Sequence, residues 1–115
     1  MSYADLELKV IRWADARGII QNSNIQAQAR KTLEEAGELL EAASSLRVAL
    51  DCDSDSLIDA WHEAYKDALG DVLTTLIVGA ATADVDLMEC LAQAYDEIKD
   101  RKGYLKPDGT FVKEQ

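Results

Sequence analysis

The sequence predicts an all-α fold, a four-helix bundle with a short C-terminal β-hairpin. Three observations predict it. The chain of 115 residues has a single proline, Pro107, near its end, so nothing upstream interrupts a helix in the way proline does. Apolar residues recur at helical spacing from Leu6 onward. Cap-forming polar residues and glycines divide that pattern into four segments with short connections, the arrangement of a bundle.

The first helix is expected over Tyr3 to Arg17, where Leu6, Val10, Ile11 and Trp13 are spaced for one face and Gly18 ends it. Asn22-Ser23-Asn24 supplies N-cap candidates for a second helix running to about Leu46. Val48 to Ser56 reads as a polar loop with cap residues at its end, and a third helix follows from about Leu57 to Ala81. Asp84 or Asp86 caps a fourth helix that ends near Arg101, with Gly103 just beyond it. The tail alternates around Pro107-Asp108-Gly109, which suits a small hairpin. No repeat, low-complexity segment or linker divides residues 1–115, so one domain is expected.

Composition narrows the partners. Hydrophobic residues make up 48 % of the chain, enough for a core. A chain this short nevertheless buries only roughly two-thirds of its unfolded surface. Self-association into a homodimer or homotetramer is therefore expected. Acidic residues number 22 against 12 basic ones, a net charge of −10. That balance argues against non-specific binding to nucleic acid or to an anionic membrane, both of which need a basic face. It fits a protein that gathers divalent cations, and it equally fits a solvated acidic surface that keeps the chain soluble. Cys52 and Cys90 lack metal-type spacing and read as free thiols of a reducing compartment. The N-terminus MSYADLELKV has no secretory pattern, and the longest apolar stretch, Leu73 to Ala81, is too short to span a bilayer. A cytoplasmic protein is expected.

Chemistry concentrates on the two middle helices. At about 100° per residue, Lys31, Glu34, Glu35 and Glu38 share one arc of the second helix. Leu33, Ala36, Leu39, Leu40 and Ala43 form an apolar arc beside it, expected to face the core. The third helix repeats the arrangement. Glu63, Asp67 and Asp71 follow one another every fourth residue, beside an apolar arc of Tyr65, Leu69, Val72, Leu73 and Leu76. His62 falls on that core side, and Gly70, a poor helix former, suggests close helix approach or backbone access. Antiparallel packing through the two apolar stripes brings the acidic patches together. Several carboxylates in one cleft call for counter-ions. Magnesium, which takes carboxylate oxygens and keeps waters that a phosphate can replace, is the natural one. Each patch alone also reads as an ordinary solvated helix face. Asp51, Asp53 and Asp55 open like an EF-hand loop, but Ser56 and His62 stand where that loop needs Gly and Glu. There is no glycine-rich phosphate loop and no nucleophile signature, so water is the expected nucleophile.

Glu34-Glu35-Ala36-Gly37-Glu38, followed by Asp67-Ala68-Leu69-Gly70-Asp71, resembles the MazG-like all-α NTP pyrophosphohydrolases, whose signature is EExxE on one helix and ExxD on the next. The short, single-domain phage-type members also share Trp13-Ala14, Arg17-Gly18-Ile19, a Gln-x-Gln at Gln26 and Gln28, and the ending Ile98 to Gly103. The resemblance covers nearly the whole chain. It implies cleavage of a nucleoside triphosphate between its α- and β-phosphates, with two to three Mg²⁺ or Mn²⁺ ions in each site. It implies Glu35, Glu38 and Asp71 as metal ligands. Glu34 is expected to orient or deprotonate the attacking water, or to hold a further metal. The chain departs from ExxD, with Ala68 at the acidic position. Asp67 lies on the arc of Asp71 and takes the missing ligand role, with Glu63 one turn earlier as an outer partner.

Lys99 and Arg101 resemble family positions that meet phosphates, and they also suit the C-terminal end of a helix dipole. Asp96 stands where similar chains often have Asn. It suits a sugar hydroxyl, a purine N–H or a metal. Trp13, Asn22 and Gln28 are base-site candidates, although Trp13 also fits the apolar stripe of its own helix. Lys31 reaches either a phosphate or Glu35. A purine deoxynucleotide such as dGTP is the expected substrate. The alternatives are a house-cleaning hydrolase of non-standard nucleotides and a non-catalytic acidic helical module that binds a basic partner.

Overall fold

The computed structural model describes residues 1–114, which form two compact units, one of Met1–Val85 and one from Asp86 onward. The described residues are mostly helical, with five helices and one two-stranded antiparallel sheet. The first unit holds α1 (Tyr3–Ala16), α2 (Ile19–Asn22), α3 (Ile25–Asp51) and α4 (Asp55–Thr82). The second holds α5 (Leu87–Ile98), β1 (Gly103–Leu105) and β2 (Phe111–Lys113). Among the described residues no single helix is long and apolar enough to cross a membrane.

Local chemistry sets the helix ends. Ser2 and Asp5 form a capping box on α1: the Asp5 amide donates to Ser2 Oγ at 3.2 Å and the Ser2 amide to Asp5 Oδ2 at 3.1 Å. Those bonds hold the Asp5 carboxyl below its usual range. Gly18, at φ 74°, turns the chain out of α1. The single turn α2 was not expected, because four residues carry no readable period. Asn24 caps α3, its Oδ1 accepting from the Ala27 amide at 2.8 Å. Of the two candidates for α5, Asp86 is the cap, accepting from the Met88 amide at 2.9 Å.

The expected loop Val48 to Ser56 is corrected. Helix α3 continues to Asp51, α4 begins at Asp55, and only Cys52-Asp53-Ser54 connects them. Asp53 adopts φ 52°, with its amide donating to Leu50 O and that of Ser54 to Ala49 O. That is the Schellman closure usually made by glycine, which aspartate also tolerates. Asp84, at φ 56°, closes α4 in the same way. Polar composition marked Val48 to Asp51 as loop, but Ala49 is buried and holds the last turn. Helix α5 ends at Ile98 rather than near Arg101, and Gly103 opens the hairpin rather than closing the helix.

The first unit is built on α3 and α4, which pack along each other, with α1 and α2 against α4. Thr75 Oγ1 donates to Val72 O at 2.7 Å and accepts from Thr32 Oγ1 at 2.8 Å, joining the helices in the half away from their connection. With a three-residue connection, Thr32 beside Thr75 makes the pair antiparallel. The expected packing face is corrected here. The buried residues are Ala42 and Ala49 on α3, and Ala68, Thr75, Ile77 and Val78 on α4. Leu33, Leu40, Leu69, Leu73 and Leu76 are exposed, as is His62. Ala36, Leu39, Ala43, Tyr65 and Val72 of the expected arcs are half-buried, so the contact face overlaps those arcs and is turned from the exposed leucines toward Ala42, Ala68 and Thr75, where small side chains meet. Gly70 plays no part in that contact, since a Cβ there would touch nothing.

In the second unit, Gly103, Tyr104 and Leu105 pair with Lys113, Val112 and Phe111. Gly109 takes φ 90° in the turn, and Asp108 Oδ1 accepts from the Thr110 amide at 3.0 Å. A side chain at Gly103 is excluded, because a Cβ would lie 2.1 Å from Val112 O.

Candidate functional site

The turn of α3 and α4 onto their small residues decides where the acids go. Glu35 enters the edge of the helix pair, and its side chain is only 12 % exposed. Glu38 lies one turn further on, and Asp71 comes across from α4. Each of these three offers a carboxylate oxygen within 4.8 Å of the others. Two oxygens at opposite corners of a magnesium octahedron stand about 4.2 Å apart, so small side-chain rotations bring all three onto one ion.

Two features of the trio bear on whether it suits a hard cation. Glu35 Oε2 is buried without a hydrogen-bond partner, which is costly for a carboxylate oxygen. Glu38 has its carboxyl held above the ordinary range, first by a hydrogen bond with Glu35 and then by the Glu35 charge. All three donors are carboxylates, the ligand type of Mg²⁺ and Mn²⁺.

Lys31 supplies positive charge beside the trio. Its Nζ lies 3.2 Å from Glu35 and 3.4 Å from Glu34, and these carboxylates raise its pKa, Glu35 most. Glu34 itself points outward and is not drawn into the trio. Asp67 also lies outside it. Instead it lines a cleft of about 280 Å³ with Glu38, Asp71, Glu41 and Trp61. Glu63 pairs with Lys66 at 3.0 Å.

On the other side of Lys31 opens a larger cleft of about 700 Å³, bounded by α1 to α4. Trp13, Asn22, Gln28 and Lys31, all singled out from the sequence, line it together. Trp13 is half exposed at its wall rather than packed in the core. The Arg17 guanidinium lies 4.7 Å from the Trp13 ring centroid and donates to the Trp13 carbonyl. Asn22 Nδ2 donates to Gly18 O at 2.8 Å, and Gln28 Nε2 to Ser23 Oγ at 2.9 Å. Each amide is thereby oriented with its oxygen still available. Gly18 is needed for this, because a Cβ there would stand 3.0 Å from Asn22 Nδ2.

Asp96, Lys99 and Arg101 belong to the second unit. Lys99 Nζ pairs with Asp96 Oδ1 at 3.3 Å, and Arg101 lies beyond the end of α5. Arg17, Glu41, Trp61, Thr74 and Thr75 were missed as lining residues. Arg17 was legible as a residue one turn after Trp13. The others carry no local signal, because they become neighbours of the site only through the rotation of α3 and α4. Comparison of the chain with protein-family models, with curated proteins and with solved structures finds no match.

Proposed function

We propose that the chain is a metal-dependent nucleoside triphosphate pyrophosphohydrolase that converts a (d)NTP to (d)NMP and pyrophosphate. The observation that carries this reading is the convergence of Glu35, Glu38 and Asp71 from two helices beside a nucleoside-sized cleft, with Lys31 lining the cleft and paired to Glu35. In this reading the three carboxylates hold Mg²⁺ or Mn²⁺, and Asp67 orients its water shell. The metal, when bound, neutralises phosphate charge and makes water a better nucleophile. Lys31 exchanges its glutamate partners for a phosphate oxygen. Glu34, freed from Lys31, orients the attacking water or accepts its proton. Trp13 stacks on the base, and Asn22 and Gln28 meet its polar edge, which suits a purine such as that of dGTP. Lys99, Arg101 and Asp96, which belong to the second unit, are given no part in this reading. The four-helix bundle, formed as a homodimer or homotetramer, belongs to the same proposal.

Pyrophosphate release from a panel of dNTPs, NTPs and oxidised or deaminated nucleotides tests it, with Mg²⁺, Mn²⁺ or EDTA. Release that needs metal and is lost in Glu35→Gln supports the reading. The ranking within the panel separates a standard dNTP from a house-cleaning substrate. No release from any nucleotide with either metal sinks it, and leaves the acidic face as a binding surface.

A further inference from the structure

The cleft bounded by α1 to α4 differs in charge from the rest of the chain. The chain carries 22 acidic residues and a net charge of −10, yet no carboxylate lines this cleft, and its charged lining residues are Arg17 and Lys31. Lys31 is committed to Glu35 and Glu34. Arg17 is not: among the described residues no carboxylate lies within ion-pair distance of it. One residue holds its guanidinium, which lies 4.7 Å from the Trp13 ring centroid while Nη1 donates to the Trp13 carbonyl at 3.3 Å. Trp13 also lines a smaller hollow of about 240 Å³ with Lys9 and Val10, and Arg17 does not. The guanidinium therefore faces the larger cleft, on the side of the indole where a base would stack.

We propose that Arg17 determines which base the cleft accepts, and that it selects a 6-oxopurine, guanine above all. The inference rests on the reading of this cleft as the base site and adds the residue that discriminates. A planar base stacked on the indole beside the guanidinium shares its plane, so the N–H fork meets the base edge. A fork of donors needs two neighbouring acceptors. Guanine presents O6 and N7 together, whereas adenine sets its N6 amine beside N7 and opposes donor to donor. The two amides point the same way. With Asn22 Nδ2 bonded to Gly18 O and Gln28 Nε2 to Ser23 Oγ, each keeps its carbonyl oxygen as an acceptor. Guanine supplies the matching donors at N1–H and the N2 amine, and adenine has neither. A phosphate at Arg17 would meet the same two oxygens with no donor to offer them. Lysine would not serve in place of Arg17, because a point charge cannot grip two acceptors in one plane.

The test is equilibrium dialysis of dGMP, 7-deaza-dGMP, dAMP and dCMP against the full chain in EDTA, for wild type, Arg17→Lys and Arg17→Gln. Wild type is expected to hold dGMP at least about tenfold more tightly than dAMP, and to lose most of that preference with 7-deaza-dGMP, which lacks the N7 acceptor. Both variants are expected to bind dGMP and dAMP alike. A residue that only steadied the Trp13 ring would weaken every base by one factor and leave the ratios untouched. The 7-deaza comparison needs no variant, so it decides even where substitution disturbs the end of α1. A wild type that does not prefer dGMP over dAMP and dCMP overturns the proposal. So does a preference that 7-deaza-dGMP shares in full, an unchanged ratio in both variants, or binding of none of the four. Neither metal nor turnover enters these measurements. Guanine preference in a chain that releases no pyrophosphate keeps this inference and sinks the proposed activity, and metal-dependent release without a base preference does the reverse.

Discussion

Glu38→Gln is expected to stabilise the metal-free protein and to abolish most of its stabilisation by metal. Glu38 shares a hydrogen bond with Glu35 that raises its pKa, so folding favours its protonated form. A raised acid contributes stability that is full below its unfolded value and lost as pH rises through the folded one. At pH 7 without metal the charged Glu38 faces repulsion from Glu35 and Glu34 that the Lys31 attraction offsets only in part. Glutamine removes that repulsion, and a rise in Tm of about 1–2 °C is expected. The gap from wild type should narrow as pH falls through the carboxylate range. Metal reverses the order. Mn²⁺ at a hundred times its Kd stabilises the folded state by about 2.7 kcal/mol, which raises Tm by roughly 10–20 °C in a domain of this size. Loss of one of three carboxylates should cut that shift below about 4 °C at the same concentration, a 100-fold loss of affinity. Thermal melts with and without Mn²⁺ across pH read all of this. An equal Mn²⁺ shift in wild type and variant, or none in wild type, refutes the shared-ion geometry.

Gly18→Ala forces an alanine into φ 74° and against Asn22. It should cost about 1–2 kcal/mol in thermal melts and weaken dGTP retention in equilibrium dialysis, and unchanged melting would contradict the strained junction. Ala68→Leu overfills the contact between α3 and α4, where Ala68 is buried. A loss of about 1–3 kcal/mol is expected in urea denaturation, and no loss would mean that the helices do not meet through their small residues. In Gly103→Ala the new Cβ meets Val112 O, so NMR should show the cross-strand contacts of Tyr104 with Val112 disappear while the helical signals of the first unit stay. Persistence of those contacts would contradict the register.

By itself the sequence determined whatever depends on neighbours along the chain. The first helix, a cap within Asn22-Ser23-Asn24 and another at Asp84 or Asp86, the hairpin around Pro107-Asp108-Gly109 and the shared arc of Glu35 and Glu38 all follow from spacing within a turn or two. Gathering of Trp13, Asn22, Gln28 and Lys31 in one cleft was legible only as separate candidates. The tertiary structure decided which side of each helix faces inward. Periodicity located the leucine arcs, but Ala42, Ala49, Ala68 and Thr75 make the contact, because small side chains let two backbones approach where leucines would hold them apart. That choice draws Glu35 inward, leaves Glu34 and Asp67 outside the trio, exposes His62 and carries α3 on to Asp51. None of it is visible from one helix alone, since the face a helix buries depends on the shape of the partner it meets.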